Sequence, residues 1–173
     1  GGLAPMTVNG IPCVAVLALY DLLVVRLDSG NEGKTLATHP WKSDWANNIL
    51  TPTVLGNEVL ISSYHTHRSI RKLSILPGRA ETQWEARYAS HTGSPIIQDG
   101  KVYLAGRRLY CLDWKTGKLD WQGGVFGDGA SLVYFKDHRI LAYGGDCSMQ
   151  LIDAWSRSPK KYQELVKIPG ATA

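Results

Sequence analysis

Apolar residues in this chain come in short runs that are β-branched or aromatic and are broken by glycine. The stretches KVYLAGRRLYCLDW and RILAYGGDCSMQLIDAW show the pattern. A helix would need apolar side chains every three to four positions, whereas alternation marks a half-buried strand. Almost no segment offers an amphipathic helix, so the chain is predicted to be all-β. Its most apolar window, residues 11–25 (IPCVAVLALYDLLVV), contains Asp21 and lacks a cationic lead-in. It also falls short of the ~20 residues that span a bilayer as a helix. It reads as two buried strands, with no direct membrane insertion.

The runs recur. Trp41, Trp84 and Trp121 are spaced by 43 and then 37 residues, and ten residues after each a small hydroxyl residue opens a new strand-like run, at Thr51, Ser94 and Ser131. A turn dipeptide divides each run: Gly56-Asn57, Asp99-Gly100 and Asp137-His138, with Asn9-Gly10 in a further copy at the N-terminal end. Such dipeptides tolerate the left-handed backbone of a tight hairpin. Leu27-Asp28, Leu112-Asp113 and Ile152-Asp153 then mark a third strand, with Leu73-Ser74 as the degenerate equivalent. A repeat of about 40 residues holding four short strands predicts β-propeller blades, each a four-stranded antiparallel sheet. The blades are placed at residues 4–41, 51–84, 94–121 and 131–165 of one propeller segment covering 1–173.

The best-formed copy, LYCLDWKTGKLDWQ at 109–122, assigns a role to each recurring residue. Asp113 can accept hydrogen bonds from turn amides two or three residues on, and Gly117 supplies the positive φ that closes the hairpin. A tryptophan at the end of the fourth strand can bury ~150–250 Å² against a neighbouring sheet. Trp41, Trp84, Trp121, Asp28, Asp113, Asp153 and Gly117 are therefore read as the structural signature of the repeat.

Composition agrees with this reading. The chain is 44% apolar and 20% charged, which is ordinary for a globular protein, and 18 glycines and 8 prolines suit many turns. A net charge of +4 is spread without a basic run, so nucleic-acid binding is not expected. Three cysteines without a CxxC indicate neither a zinc knuckle nor a disulfide framework. Cys111 and Cys147 lie in strand-like contexts, and a disulfide between them is open but unsupported.

Motifs with chemical potential are weak. Gly33-Lys34-Thr35 lacks the first glycine of a phosphate loop, because Asp28 stands there, and no helix follows. His65 and His67 would share one face of a strand, but no further ligand completes a metal set, and SSYHTHRS reads as a polar loop. His39, His91 and His138 stand alone beside turns. The glycine-rich residues 123–129 (GGVFGDG) read as a linker, and no serine sits in a nucleophile elbow.

The stretch SPIIQDGKVYLAGRRLYCLDWKTGKLDWQ, residues 94–122, resembles the repeat of the PQQ-like β-propeller superfamily. That superfamily includes BamB-like outer-membrane assembly factors and pyrroloquinoline-quinone dehydrogenases. The resemblance extends over nearly the whole chain as about four blades. Family members close with seven or eight, which implies that the remaining blades of a parent chain complete the ring, or, as the second reading, that two chains assemble to complete one.

What the resemblance implies first is a non-enzymatic scaffold that binds a protein or peptide partner in the periplasm or another extracytoplasmic space, with no cofactor. Aromatic and basic loop residues Trp45, Tyr64, Arg68, Arg107 and Arg108 are the candidate partner contacts. The alternative is a piece of a quinoprotein dehydrogenase. By resemblance such enzymes carry PQQ, a Ca²⁺ ion, an Asp base and often a Cys-Cys ring, and this sequence has no Cys-Cys pair. An extracytoplasmic sensor domain of a larger protein is the third reading.

Overall fold

The computed structural model describes residues 1–44, 48–154 and 161–170. Among the described residues the sixteen regular elements are all β-strands, arranged as four antiparallel meanders of four. The first sheet comprises β1 (Leu3–Val8), β2 (Ile11–Leu17), β3 (Asp21–Arg26) and β4 (Thr35–Pro40). The second comprises β5 (Thr53–Leu55), β6 (Glu58–Ser63), β7 (Ser69–Leu76) and β8 (Arg79–Ala86). The third comprises β9 (Ile96–Gln98), β10 (Lys101–Ala105), β11 (Leu109–Asp113) and β12 (Leu119–Gly123), and the fourth β13 (Ala130–Tyr134), β14 (Arg139–Gly144), β15 (Met149–Asp153) and β16 (Gln163–Ile168). The chain forms two compact units, Gly1–Arg87 with the first two sheets and Tyr88–Ala173 with the last two.

Turn chemistry sets the hairpins. Between first and second strands the left-handed residues are Asn9 (φ 49°) and Gly10 (80°), Gly56 (62°), Asp99 (51°) and Gly100 (72°), and His138 (63°). Only glycine and short polar side chains adopt this region readily, which is why those dipeptides divide the apolar runs. Between β11 and β12, Asp113 Oδ1 accepts from the Lys115 amide (3.1 Å), the Thr116 amide (2.9 Å) and the Thr116 hydroxyl (2.9 Å). Gly117 closes the turn at φ 69°. At ~0.5–1.5 kcal/mol for a typical hydrogen bond, less where water can replace the partner, Asp113→Ala is expected to lower stability by about 1 kcal/mol. A lower urea midpoint at unchanged m-value would show it.

One feature common to all four sheets is a property of pairing. The register of third strand against fourth slips between Val24 and Val25, Lys72 and Leu73, Cys111 and Leu112, and Leu151 and Ile152. Aligned on this bulge, the fourth-strand residues that face the slip are Ala37, Trp84, Trp121 and Val166. Trp84 and Trp121 thus hold the same place, while Trp41 lies beyond the end of β4. Two residues after the slip stand Arg26, Ser74, Asp113 and Asp153; Asp28 sits in the following turn.

There Asp28 accepts from Arg26 Nε (2.8 Å) and Asn31 Nδ2 (2.9 Å). The Arg26 guanidinium, aided by Asn31, holds the Asp28 carboxyl down to about 2. A carboxyl lowered in the folded state stabilises it above the ordinary aspartate value of about 3.9, and that contribution disappears as pH falls through about 2. Asp28→Asn is therefore expected to flatten the acid limb of the stability profile between these values, as read from melting midpoints across pH.

Each unit has its own core. In the first unit it joins Val8, Ala15, Leu22, Val24 and Trp41 of the first sheet region to Val59, Ile61, Leu73 and Ile75 of the second sheet. In the second it joins Tyr103, Leu109, Cys111, Trp121 and Phe126 to Ile140, Ala142 and Ile152. Phe126 is fully buried, so the glycine-rich connection is also part of the packing. Cys111 is buried in β11, but Cys147 is exposed at a turn with φ 59°, contrary to the strand expected there, and both thiols are free.

The third sheet turns Tyr103, Cys111 and Trp121 into this core. Their counterparts across the bulge-aligned fourth sheet are Leu141, Leu151 and Val166. That row, with Val133, Tyr143, Met149 and Ile168, forms a half-exposed apolar face opposite the core side of the sheet. Val133, Tyr143, Val166 and Ile168 are each more than half exposed.

Candidate functional site

In the first unit a cavity of about 680 Å³ is lined by His67, Arg68, Ser69, Glu85 and Arg87. The β6–β7 connection supplies His67 and Arg68, the start of β7 supplies Ser69, the end of β8 supplies Glu85, and Arg87 follows directly after it. The wall is fixed from behind. The His67 ring stacks on Trp41 at 3.9 Å between centroids, and its Nε2 donates to the Lys42 carbonyl at 2.8 Å. Arg71 places its guanidinium 4.8 Å from the Trp41 ring centre. The fully buried indole thus contacts both a guanidinium and an imidazole.

Arg71 also fixes the charge of the wall. Its Nη2 and Nε donate to Glu85 Oε2 at 2.7 and 3.1 Å, and Ser69 Oγ donates to Oε1 at 2.7 Å. Burial works against ionising Glu85, but the Ser69 hydroxyl and Arg71 hold its carboxyl below the usual range. His39 is pushed down by burial and then by Arg71, so its neutral Nε2 accepts from Arg71 Nη1 at 2.8 Å.

In the second unit a cavity of about 570 Å³ lies along the first strands β9 and β13, lined by Ile96, Leu132, Val133, Tyr134 and, at its polar side, Gln98, Asp99, Lys136 and His138. Tyr134 donates to Asp99 Oδ2 at 3.2 Å, and His138 Nδ1 lies 3.1 Å from that oxygen and 3.0 Å from the phenol oxygen. Burial, then Asp99, pushes the Tyr134 hydroxyl up to about 12, which keeps it a donor. His138, read from sequence as solitary, thus joins two neighbouring hairpins.

The residues singled out from sequence are distributed differently. Trp84 and Trp121 are largely buried, Trp41 is fully buried behind the first cavity, and Asp28 and Asp113 serve their own turns. Asp153 ends β15, paired with Arg139 across the sheet. Of the candidate contacts, Arg68 lines the first cavity, Tyr64 is half-buried nearby in sequence, and Arg107 and Arg108 are exposed at the β10–β11 turn. Trp45 lies outside the described residues. Sequence weighed His67 only as a metal ligand and missed Glu85, Arg71 and the Asp99–Tyr134–His138 cluster, whose members are brought together only by strand pairing.

Neither cavity offers a reactive thiol: burial raises Cys13 and pushes Cys111 up to about 12. Among the described residues no group of three or more His, Cys, Asp or Glu side chains could hold a metal ion. Asp28 Oδ2, Asp113 Oδ1 and Asp146 Oδ1 accept hydrogen bonds within their own turns. No helix of the described residues is long and apolar enough to cross a membrane.

The family model of the outer membrane protein assembly factor BamB matches residues 14–123 and 80–160, most of the chain. The chain belongs to the BamB-like family of PQQ-type repeat proteins. BamB from Moraxella catarrhalis superposes with a TM-score of 0.64 at 16% identity, over 95% of this chain and 51% of that one. The computationally designed Ika8 protein superposes at 0.66 with 13% identity, over 96% and 48%. The quinohemoprotein alcohol dehydrogenase ADHIIG from Pseudomonas putida HK5 superposes at 0.60 with 15% identity, over 95% and 33%. These likenesses are of fold, and the chain spans about half or less of each structure's length. A search of curated proteins finds no match.

Proposed function

We propose that the chain is part of a non-enzymatic, BamB-like scaffold that holds a protein or peptide partner on its loops in the periplasm or another extracytoplasmic space. The observation that carries this is the first cavity. It is open and charged, and its wall is held rigid by the Trp41 stack, which suits recognition. Membership of the BamB-like family supports the same reading. The apolar row Leu141, Leu151 and Val166 repeats the positions by which the third sheet packs on the fourth. In this proposal it receives a further blade of the parent chain, since apolar faces of this kind are normally covered.

The competing dehydrogenase reading makes a different prediction. A bound cofactor raises the melting midpoint by mass action. Titration with PQQ and Ca²⁺ is expected to leave the midpoint unmoved. A saturable rise accompanied by a bound-quinone absorbance would overturn the scaffold reading.

A further inference from the structure

We infer that the cavity between Arg68 and Arg87 takes an extended peptide segment carrying Asp or Glu side chains. This rests on the scaffold reading and specifies its ligand. The first observation is a charge inventory of the first unit. Arg26 pairs with Asp28, Arg71 with Glu85, Lys72 with Glu58 and Arg79 with Glu81. Lys34 donates to Asn31, and Lys42 lies over the Tyr20 ring. Among the described residues, Arg68 and Arg87 are the two cationic side chains of this unit left without a partner, and both line the same cavity.

The cavity's one carboxylate does not answer them. Glu85 already receives Ser69 and two nitrogens of Arg71. Two guanidiniums thus face an open space with their donors unspent, and a carboxylate matches the guanidinium fork in both charge and geometry. Arg68 is held at φ 48°, a backbone region uncommon for a residue other than glycine, asparagine or aspartate. The loop therefore carries one of the two free charges on a constrained backbone.

Size and topology favour a peptide over a small anion. A volume of about 680 Å³ far exceeds a phosphate or a lone carboxylate. Glu85 lies on β8, the edge strand of its sheet, with β7 as its one hydrogen-bonded neighbour in the sheet. An edge strand can pair with an extended segment through main-chain hydrogen bonds while pockets read the side chains.

The test uses the intact chain and an acetylated, amidated octapeptide alternating Glu with Val, measured by calorimetry at low ionic strength. Binding is expected, and Arg68→Gln/Arg87→Gln should weaken it by at least roughly ten-fold, since each charge-assisted hydrogen bond is among the strong ones in a polar contact. Its melting midpoint should stay unchanged. Arg107→Gln/Arg108→Gln should bind as the parent does, and a Lys-Val peptide should not bind. The inference is overturned if the double variant at 68 and 87 binds equally, or if inorganic phosphate or an oligothymidylate binds as tightly as the acidic peptide. It is also overturned if the acidic peptide fails to bind. That failure leaves the scaffold reading standing, because the scaffold reading falls on quinone binding.

Discussion

Trp121→Ala is expected to lower the unfolding free energy by about 3–5 kcal/mol, the range for a large core aromatic. The indole lies 6.1 Å from the rings of both Tyr103 and Tyr162 and belongs to the core that joins the third and fourth sheets. Its loss opens a cavity and loosens Tyr162, whose hydroxyl donates to Gln150 at 2.7 Å. Burial, then Glu164, pushes that hydroxyl up to about 12, so the phenol stays a donor. Val166 holds the same place relative to the bulge but is half exposed. Val166→Ala should therefore stay within about 0.5 kcal/mol. Urea unfolding of both variants separates the effect of burial from that of position. Equal losses would contradict the packing described.

A loss of similar size, about 3–5 kcal/mol, is expected for Trp41→Ala, for a different reason. Trp41 is outside the bulge-aligned position, yet it is fully buried and contacts His67 and Arg71. Removing it takes away core volume, the stacking of His67 and a cation–π contact. Those contacts hold the wall of the first cavity, so the variant is expected to weaken acidic-peptide binding as well as stability. A change below about 1 kcal/mol in the urea-derived free energy would mean that the indole is not a core element.

The uneven legibility of the chain has physical causes. Asn9-Gly10 and Asp99-Gly100 could be read as turns because few residues tolerate positive φ, and Asp113 because its hydrogen bonds are local. The bulge at Cys111 and Leu112 could not be read, since it exists only between two strands. For the same reason the spacing placed Trp41 with Trp84 and Trp121, although Ala37 occupies the equivalent place in the first sheet. The candidate sites are still less local. Arg71 and His39 meet across 32 residues, and Asp99 and Tyr134 across 35. Arg68 was named from sequence for its charge and loop setting, but its cavity needed Glu85 of β8 and Arg87 just after it.

Amide hydrogen exchange recorded with and without PQQ and Ca²⁺ probes both the four repeats and the scaffold reading. Slow exchange is expected in four pairs of central strands: Ile11–Leu17 with Asp21–Arg26, Glu58–Ser63 with Ser69–Leu76, Lys101–Ala105 with Leu109–Asp113, and Arg139–Gly144 with Met149–Asp153. Quinone and calcium are expected to leave this pattern unchanged. A missing pair would contradict the four-repeat architecture, and new protection along β9 and β13 on adding the cofactor would contradict the scaffold.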